Sequence, residues 1–278
     1  MRAPVRDDRI LAVTRAAAAV VIVILLFACV VLFLLPGQTD HRFAWTIHPS
    51  VTSMVMGAGY GSALYFFVHV LTERRWHRVG LGFLPTTVFT WMMLGATLLG
   101  WDRFRHGSFP FEVWFWVYVI TPIVVPVVWL TNRGHDPKVL EEGDRRFDDR
   151  IRVAMIVGGT ALLAIAAWMY VAPSSAIAVW PWGLTTLTAR AIAAFVALPG
   201  VAWVAIAVDG RWSAAKVVLE TIAIGLLLIL IAVARAWSDF DHGSVLSYVY
   251  VLGSIGTLGA IAVLLRPMRA RETSPMHA

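Results

Sequence analysis

Eight stretches of this chain are continuously apolar over lengths close to the roughly 20 helical residues that a bilayer's hydrocarbon core requires. They run 10–35, 49–71, 81–100, 113–130, 151–171, 184–208, 213–236 and 245–265. None alternates apolar and polar positions over about ten residues, as a barrel strand would, and in lipid only helices and closed barrels satisfy every backbone polar group. The pattern predicts an all-α, polytopic membrane protein with eight transmembrane helices. The first run follows Arg2, Arg6 and Arg9 in the manner of a signal peptide. It is too long for such a segment, and no Ala-x-Ala-like cleavage site follows, so it is read as an uncleaved first helix.

The polar interruptions repeat. WDRFRHGS at 101–108 returns as WSDFDHGS at 237–244, 136 positions later. At the same offset Arg75-Trp76 recurs as Arg211-Trp212, Thr52 as Thr188, Val113 as Val249 and Thr121 as Thr257. Asp7-Asp8-Arg9-Ile10 returns as Asp148-Asp149-Arg150-Ile151 at an offset of 141, which predicts a second copy about five residues shorter, the loss falling before Trp182. Matches in register along a chain indicate an internal duplication. Each copy holds four spans, an even number, so both enter the membrane in the same sense. The expectation is two parallel four-helix repeats about a pseudo-twofold axis along the membrane normal. The corresponding division is 1–135 for the first repeat, 136–150 for a cytoplasmic linker, 151–266 for the second repeat and 267–278 for a disordered cytoplasmic tail.

Composition agrees: 59% of residues are hydrophobic and 14% charged, against roughly 25% charged in soluble domains. The net charge of +6 does not point to nucleic acid, because the basic residues gather at alternate helix ends. Of the 23 lysines and arginines, 18 fall in the amino terminus, the 73–80, 132–150 and 209–216 regions, Arg152 and the tail after Leu265. The positive-inside rule then places these segments and both termini in the cytoplasm, here of a bacterial cytoplasmic membrane. Arg42, Arg103, Arg105, Arg190 and Arg235 remain for the other side. Trp45, Trp101, Trp180, Trp182, Trp212 and Trp237 lie near span ends, as an interfacial aromatic belt would. Cys29, the one cysteine, excludes an intrachain disulfide and a thiolate metal cluster.

The repeated octet has two readings. In the structural one the tryptophans sit at headgroup depth, Gly107 and Gly243 permit a positive φ, Ser108 and Ser244 cap the next helix, and His106 and His242 bond carbonyls freed by the turn. In the functional one His106 and His242 converge with Asp102, Asp239 and Asp241 as an outward-facing site for a cation, proton or metal, or the two histidines hold a haem. Within the spans, Arg190 and Glu220 are the expensive residues and so the ligand-binding candidates: Arg190 for an anionic group, Glu220 for a proton or cation. Glu220 also stands one turn from Lys216 as an ion-pair partner. Ser53, Gly57 and Gly61 form a small-residue face for close helix approach, Gly253, Gly256 and Gly259 another, and Pro122, Pro126 and Pro199-Gly200 are candidate breaks.

FAWTIHPSVTSMVMGAGY at 43–60 and LTTLTARAIAAF at 184–195 resemble a family of bacterial eight-span membrane proteins with no known activity, a resemblance that implies no cofactor and no catalytic residue. The chain contains no phosphate loop, nucleophile elbow or zincin helix, which argues against an enzyme. The leading expectation is a transporter-like or small-ligand-binding protein. The alternatives are a non-catalytic accessory or lipid-binding subunit, and a metal or haem protein using the outer histidines. Expected partners are membrane lipids and a homo-oligomer or larger membrane assembly.

Overall fold

A computed structural model describes residues 7–272, with side chains through Leu265. Eight helices are long and apolar enough to span a membrane: Ala12–Leu34, Ser50–Thr72, Gly80–Leu99, Phe109–His135, Asp149–Val171, Thr186–Asp209, Trp212–Arg235 and Val245–Leu265. We number them as spans one to eight. The last helix continues to Glu272, past the start of the expected tail, and 273–278 lie outside the described residues. Among the described residues no strand forms beyond three isolated backbone bridges.

Span ends are closed by local chemistry. Ser108 accepts from the Phe111 N–H before span four, and Thr185 and Thr188 form a reciprocal capping box at span six. Gly210 ends span six at φ 76°, a left-handed conformation that suits glycine. Arg15 donates to the carbonyls of Leu71 and Glu73 at the end of span two, and Arg152 donates to that of Ala207, 2.8 Å away, at the end of span six. Prolines 122, 126 and 199 do not interrupt their helices. In lipid a broken helix would strand more backbone groups than the one N–H each proline removes.

Consecutive spans pair within each half, and two further packings join the halves. Span two packs chiefly on spans one and seven, and span six on spans five and three; span three also packs on four, and span seven on eight. Helices of the first half therefore interlock with those of the second. Small residues set the closest approaches. A Cβ on Gly57 would lie 2.7 Å from the Phe33 backbone nitrogen, and Ser53 Oγ donates to the Leu32 carbonyl at 2.9 Å, so the small-residue face of span two seats the last turn of span one. Gly159 and Gly200 bring spans five and six together in the same way, a Cβ on the first meeting the Gly200 carbonyl oxygen at 2.8 Å. Nothing lies within 4 Å of a Cβ placed on Gly253, Gly256 or Gly259, so that expected packing face is open.

The tryptophans depart from a simple lipid-facing belt. Trp45 and Trp182 are each 2% exposed and Trp212 is 6% exposed, whereas Trp101 is 39% exposed. Their indoles fill the turns at the bundle's ends, where an aromatic ring removes more apolar area from lipid and water than any other side chain.

Candidate functional site

At the basic end of the bundle, each half closes with a backbone bridge and an aspartate. In the first half Arg9 pairs with Arg75, and the Trp76 N–H donates to the Asp8 carbonyl at 2.8 Å. Asp8 Oδ1 accepts from the His77 N–H at 3.0 Å and its Oδ2 lies 2.6 Å from His77 Nδ1. In the second half Arg146 pairs with Arg211, and the Trp212 N–H donates to the Arg145 carbonyl at 2.9 Å. Asp144 there accepts from the Ser213 N–H at 3.0 Å and from its hydroxyl at 2.6 Å. Ser213 thus takes the place of His77. These backbone pairings set Arg9 against Arg146 and Asp8 against Arg145, four positions away from the Asp-Asp-Arg-Ile match, and the carboxylate in the second half comes from Asp144, one residue earlier. Trp45 aligns with Trp182 at an offset of 137, so the second half has not lost about five residues.

His77 is buried, and its Nε2 faces Glu141 Oε1 at 2.9 Å, outside hydrogen-bond geometry. Donor atoms of Asp8, His77 and Glu141 lie within 4.8 Å of one another, a donor set of the kind metals use. Glu141 is occupied, however, by Arg75 at 2.5 Å and Arg78 at 2.9 Å. Burial would raise the Glu141 carboxyl, but hydrogen bonds from Arg78 and Arg75 outweigh it and hold the group below its ordinary range. The trio is best described as an ion-paired clasp that ties the 133–148 connection to span three.

A second clasp is more deeply buried. Arg211, 3% exposed, grips two carboxylates: Nη1 and Nη2 reach Asp136 at 2.9 and 2.8 Å, and Nε and Nη2 reach Asp209 at 2.7 and 2.8 Å. Lys138 Nζ adds a contact to Asp136 at 3.0 Å. Burial opposes ionisation of Asp136, yet the hydrogen bonds from Arg211 and Lys138 prevail and keep its carboxyl far below the usual range. Burial likewise disfavours charged Arg211, and the two carboxylates more than compensate, raising it above the ordinary guanidinium value. The connection expected to be a solvated linker is therefore pinned to the bundle at Asp136, Glu141 and Phe147, the last 8% exposed.

Beside these clasps opens a cavity of about 730 Å³. Its inner wall is apolar, with Leu84 and Val88 from span three, Leu163 from span five and Val204 and Val208 from span six. Its polar lining comprises the exposed Arg133, Lys138 and Arg146 and the more buried Arg211, Asp136 and Asp209. Arg211 and Lys138 are committed to the two aspartates, and Arg133 and Arg146 are exposed, with no ion pair among the described residues. The space is thus amphipathic, with two guanidinium groups that make no ion pair among the described residues, that of Arg133 lying 5.1 Å over the Trp129 ring. No family model, known protein or solved structure matches the chain.

The residues singled out by sequence lie elsewhere. His106 and His242 are exposed, and each Nε2 meets a carbonyl in its own turn, Trp101 at 3.0 Å and Trp237 at 2.9 Å. Their rings lie 4.6 and 5.1 Å from those same indoles. Asp239 accepts from the Val51 N–H at 2.9 Å, Asp241 accepts from the Gly243 N–H at 3.0 Å, and Asp102 is exposed. Arg190 Nε donates to the Tyr170 carbonyl at 3.3 Å, closing the last turn of span five, and Glu220 accepts from the Tyr65 hydroxyl at 2.8 Å. Neither residue lines the cavity at the basic end. Sequence reasoning passed over Asp8, His77, Asp136, Glu141 and the grip of Arg211. The one usable signal was the recurrence of Arg75-Trp76 as Arg211-Trp212.

Proposed function

We propose that this is a small-ligand-binding protein of a bacterial cytoplasmic membrane, built from two parallel four-helix repeats, whose cytoplasmic cavity takes an anionic amphiphile of the phospholipid type. The observation that carries the ligand is the cavity's division into an apolar wall and a polar end with two exposed arginines that have no carboxylate partner among the described residues. A chain would lie along the wall and a phosphate at Arg133 and Arg146, in a volume within the roughly 300–1,000 Å³ usual for ligand sites. The basic bias of this end supports its cytoplasmic assignment.

The parallel repeat is supported by contacts that recur at offsets of 136 or 137. The His106 and His242 bonds are one pair. Phe43, Trp45, Phe104 and Trp114 pack in one outer turn as Trp180, Trp182, Phe240 and Tyr250 do in the other. The Arg15 and Arg152 caps, and the packing of span two on seven and span three on six, complete the correspondence.

Binding of dioleoylphosphatidylglycerol to the detergent-purified protein, followed by native mass spectrometry, tests the site. The double variant Arg133→Ala/Arg146→Ala should bind at least about tenfold more weakly, since each basic group near an anionic lipid contributes about 1 kcal/mol. Dioleoylphosphatidylcholine should show little change. Equal binding of the anionic lipid by both proteins would refute the site.

A further inference from the structure

A second cavity, of about 380 Å³, lies in the first half between spans one, two, three and four, with Phe195 of span six behind it. Its walls are almost wholly apolar, and it reaches the surface where Val23, Phe27 and Phe109 are exposed. Within it Tyr60 and Tyr118, each 4% exposed, face one another with their hydroxyl oxygens 2.7 Å apart. Two hydroxyls carry two protons, and the bond between them uses one. Neither oxygen makes another hydrogen bond among the described residues. One O–H is therefore left without a protein acceptor among the described residues, inside a cavity whose walls are almost wholly apolar, which is costly for a buried donor.

Depth narrows what could accept it. Tyr60 stands ten residues past Ser50 and Tyr118 nine past Phe109. At 1.5 Å per residue both are about 14 Å from the outer ends of their helices, near the middle of a hydrocarbon core roughly 30 Å thick. Phospholipid headgroups and ester carbonyls stay at the interface, so the acceptor must be a neutral oxygen on a molecule soluble in the bilayer interior. Aromatic rings flank the pair: Phe89 and Phe195 lie 6.3 and 5.3 Å from Tyr60, and Trp114 lies 4.4 Å from Tyr118. A flat carbonyl-bearing ring with an apolar tail meets all of these demands.

We propose that this cavity binds a lipid-soluble quinone, one carbonyl oxygen of which accepts the spare proton of the Tyr60 and Tyr118 pair. The positions 136 residues on are Val196 and Ser254, so the site belongs to the first half alone. It is independent of the cytoplasmic cavity.

The test is a titration of the full chain, in nanodiscs of dioleoylphosphatidylcholine, with decylubiquinone and with the dimethyl ether of its quinol, which has no ring carbonyl. The intact protein should bind the quinone saturably, one per chain, and at least about tenfold more tightly than the ether. Tyr60→Phe/Tyr118→Phe keeps both ring shapes and removes both partners of the bond, a change that is nearly neutral for folding. It should erase the preference for the quinone. Val21→Trp, which fills the cavity from span one, should abolish binding in a protein whose Tm shows it folded. Absence of saturable binding, equal affinity for the ether, or unchanged binding in either variant would overturn the proposal.

Discussion

In the turns that join span three to four and span seven to eight, Trp101 and His106 of the first half and Trp237 and His242 of the second make the same carbonyl bond and the same ring contact. In the middle of the membrane the halves part. Gly59 and Phe195 occupy corresponding positions, yet a Cβ on the glycine would lie 2.3 Å from the phenylalanine ring, so only one of the two can be large. Tyr118 corresponds to Ser254, which bonds its own helix at Tyr250. The repeated features satisfy carbonyls and fill turns, tasks that both halves share. Diverged positions such as Gly59, Tyr118 and Phe195 line the apolar cavity beside repeated ones such as Phe43, Val113, Trp114 and Thr121. The paired histidines, the most conspicuous motif in the chain, each bond a carbonyl of their own turn.

The two basic-end clasps offer the sharpest way to break this comparison. Arg211→Ala leaves Asp136 and Asp209 buried without their partner, and loss of one member of a buried ion pair costs about 3–5 kcal/mol. Arg75, its counterpart, is half exposed, and Arg75→Ala should cost about 1 kcal/mol or less. Thermal unfolding in detergent should show a large drop in Tm for the first and a small one for the second. Equal drops would mean that burial does not separate the clasps.

Acid should distinguish them next. The Asp136 carboxyl is held below its unfolded value of about 3.9, so its contribution is fully present above that pH and is lost as pH falls through the depressed folded value. Tm should be flat in this respect from pH 8 to about 5 and fall below about 4. In Arg211→Ala, which removes the largest cause of the depression and leaves the hydrogen bonds from Lys138, the acid slope should become shallower.

The smallest expected effect is at the two histidine turns. His106→Ala and His242→Ala each remove one exposed hydrogen bond, worth about 1 kcal/mol or less, and should lower Tm equally. A large loss from either, or bound metal by elemental analysis that disappears in both, would return these residues to function.

The eight spans were legible because bilayer thickness sets helix length whatever the tertiary contacts. The recurrences behind the proposed duplication were legible at the octets and at Arg75-Trp76, where polar residues interrupt an apolar background. Their register was misplaced at Asp-Asp-Arg-Ile, since a helix-capping aspartate can recur one turn along by composition alone, and only the backbone bridges at Arg9 and Arg146 reveal the alignment. The packing of span two on seven and of span three on six was hidden, because all faces of a membrane helix are apolar and periodicity cannot choose a neighbour. Asp136 and Glu141 looked solvated for a similar reason: nothing local distinguishes a charge facing water from one facing Arg211 or Arg78. Trp45, Trp182 and Trp212 looked interfacial because depth is readable from sequence and direction is not.

The account depends most on both repeats standing the same way up. With Cys29 replaced by serine, His106→Cys and His242→Cys can be probed separately in intact cells with a membrane-impermeant maleimide. Both cysteines should react from outside without permeabilisation. Reaction of one from outside and of the other only after the membrane is opened would contradict the parallel arrangement.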